Sequence, residues 1–164
     1  MRIYATGASG IVKPIPATQT GLVPSSWEVH KDKPEGRVDL AILDYSVCPV
    51  HRGEECVTHY VMMKRAKQVK AIGSLGLAAA LLKLQDAGRE IFPAEFRGNS
   101  YFIMPLTELQ YCLYGEHAVV CMRWSGRRWR PFLHWPGFTF GRDARFLRRS
   151  TSASGRSHSA KVGG

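Results

Sequence analysis

Residues 117–135 read His117-Ala-Val-Val-Cys-Met-Arg-Trp-Ser-Gly126-Arg-Arg-Trp-Arg-Pro-Phe-Leu-His-Trp135. β-Branched and aromatic residues on both sides of a Gly-Arg pair predict a β-hairpin closed by Gly126-Arg127, with glycine first in a two-residue turn. That turn sets the register. Trp124 falls opposite Trp129, Met122 opposite Pro131 and Val120 opposite Leu133. Val120, Met122, Trp124, Trp129 and Leu133 then share one face, and Arg123, Arg128, Arg130, His134, Cys121 and Phe132 share the other. The first face reads as core and the second as basic. Pro131, which has no N–H, confines its strand to a sheet edge.

Upstream, Ser74 to Gly88 predicts the principal helix. Ser74 suits the N-cap, Ala78 to Ala80 and the leucines favour helix, and Gly88 stands where a C′ glycine belongs. Leu77, Leu81 and Leu84 recur at three- and four-residue spacing, so one face is buried. Gly76 weakens the first turn. Arg97-Gly98-Asn99 is a turn leading into a strand at Tyr101 to Met104. A short helix is expected over 107–114, with Thr107 and Gln110 as a capping box and Gly115 as its stop. Val38 to Val47 alternates as a strand, Val57 to Lys64 is rich in β-branched and aromatic residues, and the two form a hairpin around Cys48 to Cys56. Met1 to Ala5 and Trp27 to His30 are further short strands.

Strands grouped before and after a helical middle give an α+β fold, with an antiparallel sheet of five or six strands, one main helix (74–88) and one short helix (107–114). The 164 residues suffice for one domain, and 45% hydrophobic residues can bury a core. Residues 1–149 form that domain, and Pro14, Pro16, Pro24 and Pro34 keep its first 37 residues extended. Residues 150–164 are a Ser/Gly-rich basic tail expected to be disordered. No apolar run approaches the about 20 residues that span a bilayer. The opening MRIYATGASG lacks a signal-like apolar run, which points to the reducing cytoplasm. The four cysteines then read as thiols or metal ligands.

The net charge of +10 is unevenly spread. Residues 117–164 carry ten Lys and Arg against one acid, Asp143, while residues 1–116 carry thirteen against twelve. The excess is mainly arginine, whose planar fork suits phosphate and flat rings. Arg123, Arg127, Arg128, Arg130, Arg142, Arg145, Arg148 and Arg149 are therefore the candidate nucleic-acid contacts. Arg145, Arg148 and Arg149 would share one face if their segment were helical. Trp124 and Trp129 are assigned to packing.

Cys48, His51, Cys56 and His59 lie within twelve residues and offer a tetrahedral zinc set, the one cofactor the sequence suggests. Asp39, Asp44, Glu54 and Glu55 offer carboxylates that would hold Mg²⁺ in a nuclease. Met1-Arg-Ile-Tyr-Ala-Thr6-Gly7-Ala-Ser-Gly10-Ile-Val-Lys13 resembles the opening of the short-chain dehydrogenase/epimerase family, and Tyr60-Val-Met-Met-Lys64 its Tyr-x-x-x-Lys pair. The resemblance implies a dinucleotide phosphate held on the loop. It stops at Lys13, which replaces the third glycine, and at Pro14 and Pro16, which prevent the phosphate-binding helix. Gly7 and Gly10 accordingly read as turn residues.

The leading functional expectation is a small basic accessory protein that binds DNA or RNA phosphates through its C-terminal arginines. The second is a fertility-inhibition-like interaction module of a plasmid or phage that docks an acidic protein. The third is a metal-dependent nuclease. No catalytic residue is singled out, because no nucleophile–base pair is visible.

Overall fold

A computed structural model describes residues 10–40, 52–135, 137 and 139–149, and the backbone of 43–44. Its strands are β1 (Ile11–Val12), β2 (Trp27–Asp32), β3 (Val38–Asp39), β4 (Leu43–Asp44), β5 (Tyr101–Tyr111), β6 (His117–Ser125), β7 (Arg128–His134), β8 (Ala144–Phe146) and β9 (Arg148–Arg149). Its α-helices are α1 (His59–Gln68) and α2 (Leu75–Asp86). The expectations for Met1 to Ala5, Gly7, Cys48, His51 and residues 150–164 lie outside the described residues.

The main sheet runs β2-β5-β6-β7 with every neighbour antiparallel. β8 adds in parallel to Tyr101–Ile103 of β5, beyond the stretch that β2 pairs. The fold is α+β. The β6–β7 hairpin has the expected register, with Trp124 opposite Trp129, Met122 opposite Pro131 and Val120 opposite Leu133. Gly126 takes φ +71° at the turn, which glycine adopts without strain. β7 is an edge strand, where Pro131 costs no ladder hydrogen bond.

Helix α2 starts where Ser74 accepts the Leu77 N–H and ends at Asp86, with Ala87 as C-cap and Gly88 left-handed at C′, as expected. The Gly88 N–H reaches the Gln85 carbonyl and the Arg89 N–H the Leu84 carbonyl, a Schellman closure. The helix start is buried. Its Leu75 N–H donates to the Thr107 hydroxyl, and Glu35 accepts the Gly73 and Ser74 N–H groups. A carboxylate there complements the positive helix end.

Two expected elements are of the other type. Val57–Lys64 is not a strand: Val57 makes one bridge to Phe140, and Thr58 then caps α1 by accepting the Val61 N–H. Met62 and Ala66, four apart, give that helix its buried stripe. Residues 107–114 are not a helix, because β5 continues through Tyr111 between β2 and β6. Thr107 does serve a helix start, but that of α2, while donating to Asp32. The expected 38–47/57–64 hairpin is replaced by β3 pairing with β1 and β4 with β9.

Both sheet faces are covered. α2 packs with Phe92, Phe102, Met122 and Trp129 on one face. α1 packs with Ile103, Val119, Cys121, Phe140 and Phe146 on the other. The second hairpin face is therefore largely core as well, and its arginines cluster towards the turn. No helix of the described residues is long and apolar enough to cross a membrane.

Candidate functional site

The eight candidate arginines do not form one surface. Arg123 and Arg130 are exposed cross-strand partners, and the Arg123 guanidinium lies 4.7 Å from the Phe132 ring centre. Arg127 is exposed at the hairpin turn. Arg128 is held by Asp86 at 2.6 Å. Arg142 is exposed in the turn before β8. Arg145 faces inward, donating to the Ser100 hydroxyl and covering the Phe96 ring. Arg148 is half-buried, and Arg149 donates to the Arg37 carbonyl. Their segment is strand, so Arg145, Arg148 and Arg149 share no helix face.

The hairpin turn has basic neighbours that its own sequence does not show. Arg89, just after α2, and Arg97, in the loop before β5, line one depression with Trp124 and Arg127. The Arg97 guanidinium stands 4.3 Å from the Trp124 ring centre, a cation–π contact. Trp124 is only half-buried. Glu90, 3.4 Å from Arg97, is the one acid in the lining among the described residues. A flat ring bordered by three guanidinium groups can stack a planar group and hold anionic oxygens.

A second constellation lies at the other end of β6, on the α1 side of the sheet. Glu108 of β5 is buried, and its Oε1 stands 3.4 Å from His117 Nδ1 on β6 and 3.4 Å from His59 Nε2 on α1. The exposed His30 of β2 stacks on His117 with ring centres 4.0 Å apart. One donor atom each from His30, Glu108 and His117 lies within 4.8 Å of the others. His134 stacks on Phe140, whose ring centre also lies 6.4 Å from that of His59. Burial holds the His134 imidazole below its ordinary range, with His59 adding to the effect and backbone hydrogen bonds at Thr139 and Trp135 opposing it.

Two irregularities position this cluster. Val29 pairs with Leu109 and Lys31 with Glu108, so His30 has no partner and sits on a bulge. On the other side of β5, Met104 pairs with Val120 and Glu108 with Val119, so residues 105–107 bulge as well. Bulges re-aim side chains and recur beside functional sites. A third basic feature adjoins it: Lys31, Lys33, Lys67 and Lys70 rim an apolar cleft over Pro105 and Leu106.

Of the proposed zinc loop, Cys56 is exposed and His59 opens α1, facing Glu108. Glu54, from the carboxylate set, is bound by Arg65 and by the Arg52 N–H, which hold its carboxyl down at about 2. Asp39 lies in β3 and Asp44 in β4, paired with different strands. Nothing in the sequence spacing marks His30, Glu108 and His117 as neighbours, nor Arg89 and Arg97 as partners of Trp124. The chain matches no protein-family model, no curated protein and no solved structure.

Proposed function

We propose that the protein binds nucleic acid at the β6–β7 hairpin end. Trp124 offers a ring to an unpaired base, and Arg89, Arg97 and Arg127 meet the phosphates, with Arg123 and Arg130 extending the basic surface. The single observation that carries this reading is Arg97 stacked on the half-buried Trp124, with Arg89 and Arg127 lining the same depression. Base–aromatic stacking contributes about 1–3 kcal/mol per base and tolerates any sequence. A ring and cations together favour a single strand over the closed duplex, whose bases are already stacked.

The test compares the whole protein with an Arg89→Gln/Arg97→Gln/Arg127→Gln triple variant on a single-stranded oligonucleotide across a salt series. Each arginine–phosphate interaction removed reduces the log-affinity against log-salt slope by about 0.7 on a single strand. A fall of about two in the slope is expected for the triple variant. Unchanged affinity and slope would sink the reading. A partner captured equally well after nuclease treatment would direct the same surface to an acidic protein instead.

A further inference from the structure

We propose that His30, Glu108 and His117 form a binding site for a divalent transition-metal ion of the zinc kind. The donor set is two imidazole nitrogens and a carboxylate, a combination that suits zinc and its first-row neighbours. Spacing is the first argument. A tetrahedral ion with bonds of about 2.0–2.2 Å sets its ligand atoms about 3.3–3.6 Å apart. Glu108 Oε1 and His117 Nδ1 stand at 3.4 Å, already the separation of two ligands on one ion. His30 lies within 4.8 Å and is exposed on its bulge, so a side-chain rotation brings its ring in.

Burial is the second argument. Glu108 is 8% exposed, and a buried carboxylate requires a charge partner or a metal. Its neighbours are imidazoles, whose ring nitrogens can serve as ligands to a cation. His59 completes the ring around the same carboxylate oxygen, and its buried Nδ1 has no hydrogen-bond partner among the described residues. His59 is assigned a positioning role, or that of a fourth ligand. The groove beside Glu108 is bordered by Gly115, Glu116 and Gly137, so an ion can enter and keep a water molecule.

The site is independent of the hairpin end. His117 and Ser125 are eight residues apart along β6, roughly 26 Å at strand rise. The nucleotide stacked at Trp124 therefore does not itself touch this ion, and either proposal can fail without the other.

The experiment uses the full chain, made without a histidine tag and stripped with a chelator. It is titrated calorimetrically with Zn²⁺, and the Co²⁺ form is examined by absorption. One ion per chain is expected, with visible Co²⁺ bands and no thiolate charge-transfer band. Glu108→Gln and His117→Ala should weaken Zn²⁺ binding at least 100-fold, and the exposed His30→Ala at least tenfold. Cys56→Ser should leave binding unchanged. Circular dichroism of each metal-free variant checks its fold, and His30→Ala decides the matter where a buried variant does not fold. The proposal is overturned if the wild type binds no ion, if His30→Ala binds as the wild type does, or if binding is lost in Cys56→Ser with a thiolate band in the wild type. That last result would assign the ion to the cysteine–histidine loop.

Discussion

The main chain of Ile15 crosses α2 directly over Gly76: a Cβ on Gly76 would overlap the Ile15 carbonyl oxygen and stand 2.8 Å from its nitrogen. This contact explains a residue that helix propensity alone disfavours. In an exposed helix, Gly→Ala stabilises by about 1 kcal/mol. Here Gly76→Ala forces the N-terminal segment off the helix, and overpacking of this kind costs about 3 kcal/mol. Chemical denaturation should show a net loss of about 2 kcal/mol. A gain in stability would show that Ile15 does not lie over the helix.

The edge of β7 is sealed by one side chain. Gln85 of α2 donates from Nε2 to the Trp129 carbonyl at 2.9 Å and accepts the Trp129 N–H at 2.8 Å. Trp129 and Trp124 are therefore a non-hydrogen-bonded pair of the ladder, with the Trp129 backbone groups turned outward to the helix. Gln85→Met keeps the length and removes both polar atoms. It should cost about 2 kcal/mol, because a backbone donor and acceptor at a buried residue are left without partners. Asp86→Ala, which frees the exposed Arg128 next door, should cost less than about 0.5 kcal/mol. Equal effects in the two variants would remove the edge-sealing role of Gln85.

How much of the fold is legible in the chain depends on where each signal sits. The hairpin and α2 carry their instructions locally: Gly126 sets the turn and thereby the register, and Ser74 and Gly88 bracket the helix. Thr107 carries a helix-start signal whose helix lies 32 residues away in sequence, so local pattern alone places a helix wrongly at 107–114. Val57 and Tyr60-Val61 resemble a strand because the buried stripe of α1 is only Met62 and Ala66, too narrow for its period to dominate. The histidine–glutamate cluster is not legible. His30 and Glu108 are 78 residues apart and become neighbours only through the β2–β5 register. The charge balance conceals as much as it shows, since Arg89 and Arg97 belong to the nearly neutral part of the chain.

Lys70 adopts φ 55° and is the non-glycine residue with positive φ among those described. It occupies in α1 the place that Gly88 holds in α2. Its N–H bonds the Lys67 carbonyl, and the Ala71 N–H bonds the Ala66 carbonyl. The left-handed conformation costs an L-residue about 1 kcal/mol. Lys70→Gly should therefore raise stability by up to about 1 kcal/mol, and Gly88→Ala should lower it by a similar amount. Lys70 also rims the apolar cleft beside Glu108. Lys70→Gly with no gain in thermal or chemical stability would show that Lys70 carries no strain.

Alkaline stability reports on the core under α1. Burial raises the Tyr101 phenol to about 12, with Cys121 and Asp143 adding to the effect and a backbone hydrogen bond at Gly141 opposing it. Burial also pushes the Cys121 thiol well above its ordinary range. In the unfolded chain the thiol titrates near 9 and the phenol near 10. Between those values and the native ones, the native state holds more protons than the unfolded state. Stability therefore falls as pH rises. Their contribution is complete below about pH 8.5. It is expected to decline from about pH 9 as Cys121 becomes linked to unfolding, and more steeply from about pH 10 as Tyr101 joins it. Denaturation midpoints across the alkaline range measure this. Tyr101→Phe should keep the first decline and lose the second. An identical profile in that variant would show that the Tyr101 hydroxyl is not held in the protonated form by the fold.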